Sequence, residues 1–284
     1  MIKTAFLVAS VLVGTWNGKW FPSGRAEHRA HPDVEEATIS ASAKMLSHGI
    51  SSADPFGTND IILVLNEMRD LRSASNLVAR IGRKGLRIVA ISKYRRRDRF
   101  DQQQDAIATT LPVVDKGWSV WRNRKNETPP RGYVYADVVV EPAVTAKVYA
   151  VHLKSNYGAK SEEAASLNRL KRAHAVEQLE SQERRNPYVI IAGDLNADKW
   201  REEFFRERIF GIFEGGGYTN FLSLLPPGGR GTHPSRVHGD SALDYIMSKG
   251  FAPAGAVFIQ PNEGLSDHYA FFALIAPCDR KFLR

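Results

Sequence analysis

Apolar runs along this chain are short, rich in β-branched residues and repeatedly cut off by one polar side chain. VLVGTW stops at Asn17, IILVLN leads into Glu67, VYAVH stops at His152 and YVIIAGD at Asp194. Runs of this length and make-up predict buried strands rather than amphipathic helices. Strands are expected over 5–17, 61–66, 86–92 and 188–194, with shorter ones over 243–247, 255–259 and 270–275. Residues 133–140 and 146–153 predict an antiparallel pair turning at Glu141–Thr145. Helical spacing predicts helices over 33–48, with acidic residues in the first turn, and over 71–82, ending at Gly82. A longer one is expected over 161–185, capped by Ser161 ahead of Glu162 and Glu163, with Ala165, Leu167, Ala173, Val176 and Leu179 as its apolar stripe. Residues 199–210 also look helical. The polar stretch 93–132 is read as irregular, apart from a short strand at WSVW, 118–121, and the Gly/Pro-rich segments 214–217 and 226–231 are read as loops. Strands and helices mix throughout, so the fold class is mixed α/β, with helices covering strongly apolar strands.

Composition changes the picture little. The chain has 284 residues, 43% hydrophobic and 25% charged, with no linker-like segment and no repeat, so one domain over 1–284 is expected. No run approaches the roughly 20 apolar residues of a membrane span, so no stable membrane insertion is expected. Cys278 is the only cysteine, which excludes an intrachain disulfide and a cysteine-based zinc site. The opening MIKTAFLVASVLVG is read as a first strand flowing into Asn17 rather than as a signal peptide. A cytoplasmic protein is expected, or a secreted or periplasmic one if a longer precursor exists. The formal net charge of +8 favours anionic partners.

The polar stops carry the candidate chemistry. In GDLNAD, Asp194 and Asn196 are two apart, so an extended segment points both the same way. A carboxylate there can orient a water or hold a cation, and the amide can bind a phosphoryl oxygen; an Asx-rich turn is the plain alternative. Glu67 ends a buried strand, where a carboxylate needs a partner: a metal ion, or Arg69 or Arg72. Mg²⁺ needs only one or two protein carboxylates, because water and substrate phosphate complete its octahedron. SDH places Asp267 beside His268, and LDYIM supplies Asp244, a carboxylate able to orient an imidazole. His152 and Asn17 close the inventory; alone, each reads equally as a hydrogen-bonded core or turn residue. Together these residue types suit metal-assisted cleavage of a phosphate ester.

In this order, TWN, the Glu of LNE, the RG before the central hairpin, HLKS, GDLN, LDYI and SDH resemble the endonuclease/exonuclease/phosphatase superfamily, across residues 15 to 270. The resemblance implies a four-layered α/β sandwich, two packed mixed sheets flanked by helices, with the site at one edge. It implies Glu67 as principal ligand of Mg²⁺ or Mn²⁺, with Ca²⁺ a further option, and Asn17 and Asp267 beside it. It implies that Asp194 positions or activates the attacking water and that Asn196 holds a phosphate oxygen. His268, oriented by Asp244, would be a general base or a phosphate-stabilising imidazole. His152 would assist the leaving oxygen, as in deoxyribonuclease-like members, and Arg131 would contact phosphate. Asn66 departs from the Gln that often precedes the Glu, and no carboxylate that would orient His152 is identifiable.

A nucleic-acid substrate, DNA cut internally, is the expectation, with a monomeric enzyme acting on it. KYRRRDRFDQQQ (93–104) and WRNRKN (121–126) would supply backbone contacts, with Trp118 and Trp121 available for stacking. The alternative is a phosphatase or phosphodiesterase for small or lipid esters, of inositol phosphate or sphingomyelin type. A non-catalytic binding module would normally show a broken site, whereas every polar position here is filled.

Overall fold

The computed structural model describes residues 10–25, 30–96, 99–100, 103–237 and 239–278, with side chains of 96, 99 and 100 excepted. Among the described residues, fourteen strands and four α-helices follow one another as β1 (Val11–Phe21), α1 (Pro32–Ala53), β2 (Asp60–Met68), α2 (Leu71–Ile81), β3 (Arg87–Ile91), β4 (Arg95–Arg96), β5 (Arg99–Phe100), β6 (Gln104–Thr109), β7 (Val113–Val120), β8 (Gly132–Glu141), β9 (Val144–His152), α3 (Glu162–Glu183), β10 (Val189–Asp194), α4 (Ile209–Gly215), β11 (Thr219–Asn220), β12 (Asp244–Lys249), β13 (Phe251–Gln260) and β14 (Ala270–Pro277). One six-stranded sheet has the order β13-β14-β1-β2-β6-β3 and the other β11-β12-β10-β9-β8-β7. Both are mixed: β1 runs parallel to β2 and β9 to β10, while β14 and β12 run antiparallel to β1 and β10.

Alternation along the strands builds the layers. Val11 and Val13 of β1, with Ile62 and Val64 of β2, pack among Val148, Ala150 and Ile191 of the other sheet. Their neighbours Leu12, Leu63 and Leu65 face outward, under Leu46 and Ile50 of α1 and Leu77 and Val78 of α2. Both faces of these strands are therefore buried, which is why they read as continuous apolar runs. Burying each such side chain contributes on the order of 1.5–3 kcal/mol. On the second sheet Ala175, Val176 and Leu179 of α3 and Phe213 of α4 complete the outer layer. The result is the expected four-layered α/β sandwich, two mixed sheets flanked by helices.

Helix ends follow local chemistry. Asp70 caps α2 by accepting from the Ser73 amide at 2.7 Å, and Gly82 closes it in the left-handed conformation. Ser161 caps α3 as expected, accepting from Ala164 N.

Four expectations need correction. The stretch 93–132 is not largely irregular: it holds β6 and β7, and β6 sits inside the first sheet. Its signal is masked because Gln104 and Asp105 are buried polar residues whose partners are distant in sequence, among them Asn66 on Asp105. Residues 199–210 form only a 3₁₀ turn at Glu202–Phe204, and the helix begins at Ile209. The stripe of α3 holds at Ala173, Val176 and Leu179, but nearer its start buried Asn168 and Arg172 replace apolar residues. Arg172 is satisfied there by an ion pair with Glu207 and by the Lys154 carbonyl. Trp121 is a core residue tilted against Tyr133 and offers no stacking face. Trp118 is partly exposed, with its ring edge-on to Tyr94. Residues 5–9 of the expected first strand, and the side chains of 96–102 in the basic stretch, lie outside the described residues.

Candidate active site

Register brings the polar stops to one edge. Asn17 of β1 pairs in register with Asn66, one residue before Glu67. On the other sheet Asp194 is in register with both His152 and Asp244. The carboxyl ends of two parallel pairs thus meet the amino ends of the antiparallel β12 and β14, and His268 lies just before β14.

At this edge the side chains form one connected cluster. Glu67 accepts from the Trp20 amide at 3.0 Å and from Asn17 Nδ2 at 3.3 Å. Asn17 Nδ2 also donates to Asp194 Oδ2 at 3.1 Å, so one amide ties the ends of both sheets together. His152 Nε2 lies 3.5 Å from Asp194 Oδ2 and 3.8 Å from Glu67 Oε1. His268 Nε2 stands 3.8 Å from the same Asp194 oxygen, while its Nδ1 is 2.7 Å from Asp244 Oδ2. Asp194 Oδ1 accepts from the Asn196 amide at 2.8 Å, and the Asn196 side chain donates to the Leu153 carbonyl at 3.1 Å. All of these residues but Trp20 are buried.

The backbone is held in sparsely populated conformations here. Glu67, Arg131 and Asn196 have φ of 60°, 63° and 51°. Left-handed residues other than Gly cost of order 1–3 kcal/mol each, less for Asn, and persist where the surroundings fix them. Gly193 has φ of 135°, and a Cβ there would meet the Val151 carbonyl oxygen at 2.0 Å. Only glycine lets β9 and β10 approach closely enough to set His152 beside Asp194.

Burial and charge separate the protonation behaviour of the cluster. Burial, with Arg131 and His268 nearby, pushes His152 well below its ordinary value, so its ring is neutral. Burial opposes charge on His268 as well, but Asp244, then Asp194 and Asp267, overcome it and lift the imidazole to about 10. Burial raises Asp194 to about 7 against the pull of His268, with Asp244 and Glu67 adding to the rise.

Nearly all the sequence-predicted residues converge. Asn17, Glu67, His152 and Asp194 touch one another, and Asp194, Asp244 and His268 form a second overlapping group. Asp267 stands slightly apart, its Oδ2 paired with Lys19 Nζ at 2.9 Å and its Oδ1 4.0 Å from His268 Nε2. Among the described residues no contact joins Asp267 to the Glu67 or Asn17 side chains. Arg131 bonds to Gln103 and acts electrostatically on His152 and Asp105. Arg69 is turned to Glu35 and Asp70 rather than to Glu67. His152 Nδ1 is buried without a hydrogen-bond partner, in keeping with the orienting carboxylate that the sequence does not supply.

Several contributors escaped the sequence reading. Asn66 Nδ2 donates to Asp105 at 2.7 Å and to the Val151 carbonyl at 3.1 Å, while its Oδ1 accepts from the Asp194 amide at 3.2 Å. It clamps the two sheets directly behind the cluster. Thr232 Oγ1 accepts from the Asp244 amide at 3.0 Å, and Ser266 Oγ donates to the Asn17 carbonyl at 2.7 Å. Only Asn66 carried a signal, through its place beside Glu67.

The donor set fits a hard divalent cation. Asn17, Glu67 and Asp267 offer oxygen alone. Glu67 is a buried carboxylate served by an amide N–H and an Asn side chain, with neutral His152 beyond them, which leaves negative charge for a cation to offset. To ligate, Asn17 would present the oxygen that now accepts from the Lys19 amide at 3.0 Å.

Residues 43–268 match the model of the Endonuclease/Exonuclease/phosphatase family, and the chain belongs to that family. Its members are phosphoric ester hydrolases, generally dependent on a divalent metal. No curated protein matches the chain in sequence. Among solved structures, an endonuclease/exonuclease/phosphatase from Beutenbergia cavernae superposes with a TM-score of 0.64 at 15% identity, covering 95% of this chain and 72% of that one. D. rerio TDP2 complexed with single strand DNA product gives 0.60 at 12% identity, covering 94% and 98%. Sphingomyelinase C from Streptomyces griseocarneus gives 0.59 at 17% identity, covering 94% and 99%. At these identities the likeness is one of fold. Among the described residues no helix is long and apolar enough to cross a membrane.

Proposed function

We propose that this chain is a divalent-metal-dependent phosphodiesterase that hydrolyses nucleic acid, cutting DNA internally. The observation that carries the substrate is where the basic stretch joins the fold. Residues 93–104 lead into β6, whose first residue, Gln104, pairs in register with Met68, next to Glu67. A segment rich in Arg and Lys therefore enters the sheet at the same edge as the cluster, where it can hold phosphates flanking the scissile one. The net charge of +8 and the DNA held by the D. rerio neighbour support the same reading.

In this proposal Glu67, with Asn17 and Asp267, would hold Mg²⁺ or Mn²⁺. The bound ion would polarise the phosphate and offset the charge that develops on it. Asp194 sits where its Oδ2 can take the proton of a water attacking phosphorus in line. That new O–P bond forms as the bond to the leaving sugar oxygen breaks. Asp244 fixes the His268 ring so that Nε2 faces the phosphoryl oxygens. His152 Nε2 would assist the departing oxygen, and Arg131 and Asn196 would hold non-bridging oxygens.

Supercoiled plasmid incubated with the protein in Mg²⁺, Mn²⁺ or EDTA tests this, with Glu67→Ala alongside. Metal-dependent nicking lost in a folded Glu67→Ala variant supports the proposal. Absence of nicking, with release of phosphate from small or lipid esters, moves the chain to the alternative branch of the family.

A further inference from the structure

Beside the cluster stands a histidine that plays no part in the proposed hydrolysis. We propose that His233, Asp267 and His268 form a binding site for a first-row transition-metal ion, Zn²⁺ above all, built on two imidazoles and sharing only Asp267 with the oxygen ligands around Glu67. One ligand atom from each of the three lies within 4.8 Å of the others.

Each ligand is presented as such a site requires. Asp244 holds His268 through Nδ1 at 2.7 Å, leaving Nε2 between Asp194 Oδ2, 3.8 Å away, and Asp267 Oδ1, 4.0 Å away. An imidazole whose second nitrogen is fixed by a carboxylate is the usual way a protein offers histidine to zinc. Asp267 spends Oδ2 on Lys19 and turns Oδ1 toward His268 Nε2, 4.0 Å away. His233 is pinned by its backbone: its amide donates to the Ser241 carbonyl at 2.8 Å, and its carbonyl accepts from the Ser241 amide at 2.9 Å. The adjoining Thr232 carbonyl accepts from the Tyr269 amide at 2.7 Å, which ties this loop to the start of β14. A tetrahedral ion with bonds of about 2.0–2.1 Å needs ligand atoms roughly 3.3 Å apart. Closing from the observed spacing takes shifts of the ligand atoms on the order of 1 Å.

The donor set also chooses the ion. Two imidazoles and one carboxylate favour Zn²⁺, Co²⁺ or Ni²⁺ over Mg²⁺, which prefers oxygen and water. Three protein ligands leave a fourth position open. The plain reading of His233 is a packing residue, since its ring lies edge-on to His268 with centroids 4.8 Å apart. A phenylalanine would pack equally well there; what the imidazole adds is a nitrogen. An ion at this site occupies His268 Nε2, so Zn²⁺ would inhibit hydrolysis even with Mg²⁺ saturating. That consequence rests on the proposed function, whereas the binding does not.

Calorimetric titration of the metal-stripped full chain with Zn²⁺, in excess Mg²⁺, tests the site without any substrate. Co²⁺ serves as a second probe, through the visible absorption of a four-coordinate ion. The expected result is one Zn²⁺ per chain, bound at least about tenfold more weakly in His233→Phe and in His233→Asn, and unchanged in Glu67→Gln. Thermal melting establishes that each variant is folded. The proposal is overturned by the absence of saturable binding, by equal affinity in both His233 variants, or by loss of binding in Glu67→Gln, which would assign the ion to the oxygen site. If Zn²⁺ binds as expected and plasmid is still not cleaved in Mg²⁺, the substrate assignment fails and the metal site stands.

Discussion

Asp244 Oδ2 lies 2.7 Å from His268 Nδ1, and both side chains are buried. The carboxylate favours the charged ring and fixes its direction, so that Nε2 faces Asp194. Replacing Asp244 with Asn keeps the size but supplies an amide that can donate into the ring, with no negative charge behind it. We expect Asp244→Asn to lower the rate of phosphodiester cleavage by about 10²–10⁴-fold with little change in KM. Steady-state kinetics on a folded variant would refute the orienting role if kcat stayed within a few-fold of wild type.

How much of this arrangement was legible follows from how each residue is embedded. Asn17, Glu67, His152 and Asp194 could be found because each closes an apolar run of a buried strand, where a polar residue stands out, although β1 itself continues past Asn17 to Phe21. β6 could not be found, because its buried positions include Gln104, which accepts from the Tyr94 amide at 2.8 Å, and Asp105, whose Oδ1 accepts from Asn66. Polar pairs that meet across 10 or 39 residues leave no periodic trace. The expected helix over 199–210 failed for a related reason. Its charged residues serve tertiary ion pairs, with Glu207 held by Arg172 of α3, rather than one face of a helix. His233 was silent because it lies in a loop with no apolar run beside it, and only folding brings it to His268.

Gly193 is the position where backbone geometry and site meet most directly. A Cβ at this residue would lie 2.0 Å from the Val151 carbonyl oxygen and 3.0 Å from Asn66 Oδ1, on a backbone with φ of 135°. Gly193→Ala must push β9 and β10 apart or break the Asn66 clamp. We expect a loss of roughly 2–4 kcal/mol of stability. It should appear as a lower urea midpoint at unchanged slope. A midpoint equal to wild type would show that the strands can separate without cost.

Asp54 gives a pH dependence far from the metal ligands. Burial alone would raise its carboxyl, but the Asn59 and Thr58 amides, the Asn59 side chain and Arg83 hold it below its ordinary value of 3.8. Thr58 N donates at 3.0 Å, Asn59 N at 3.1 Å and Arg83 at 2.8 Å. A depressed folded pKa means that this stabilisation is fully present above the unfolded pKa of about 3.9, and is lost as pH falls through the folded value. We expect Asp54→Asn to be less stable than wild type by a constant amount above about pH 5. The gap should narrow steadily below about pH 4. Parallel stability curves down to the acid transition would exclude Asp54 as a source of acid sensitivity.

The basic stretch that leads into β6 makes the final prediction. Arg95, Arg96 and Arg97 lie a few residues before Gln104, which is in register with Met68 at the site edge. If they contact phosphates, each contact releases counterions, and the slope of log affinity against log salt is about −0.9 per phosphate neutralised. Replacing all three with Gln should raise KM for DNA and reduce the magnitude of that slope by up to about 2.7, with kcat little changed. The change should be alike across DNA sequences, since phosphate contacts carry no base readout. An unaltered salt slope would make the stretch a solvated surface, and would remove the observation on which the choice of nucleic acid over smaller phosphate esters rests.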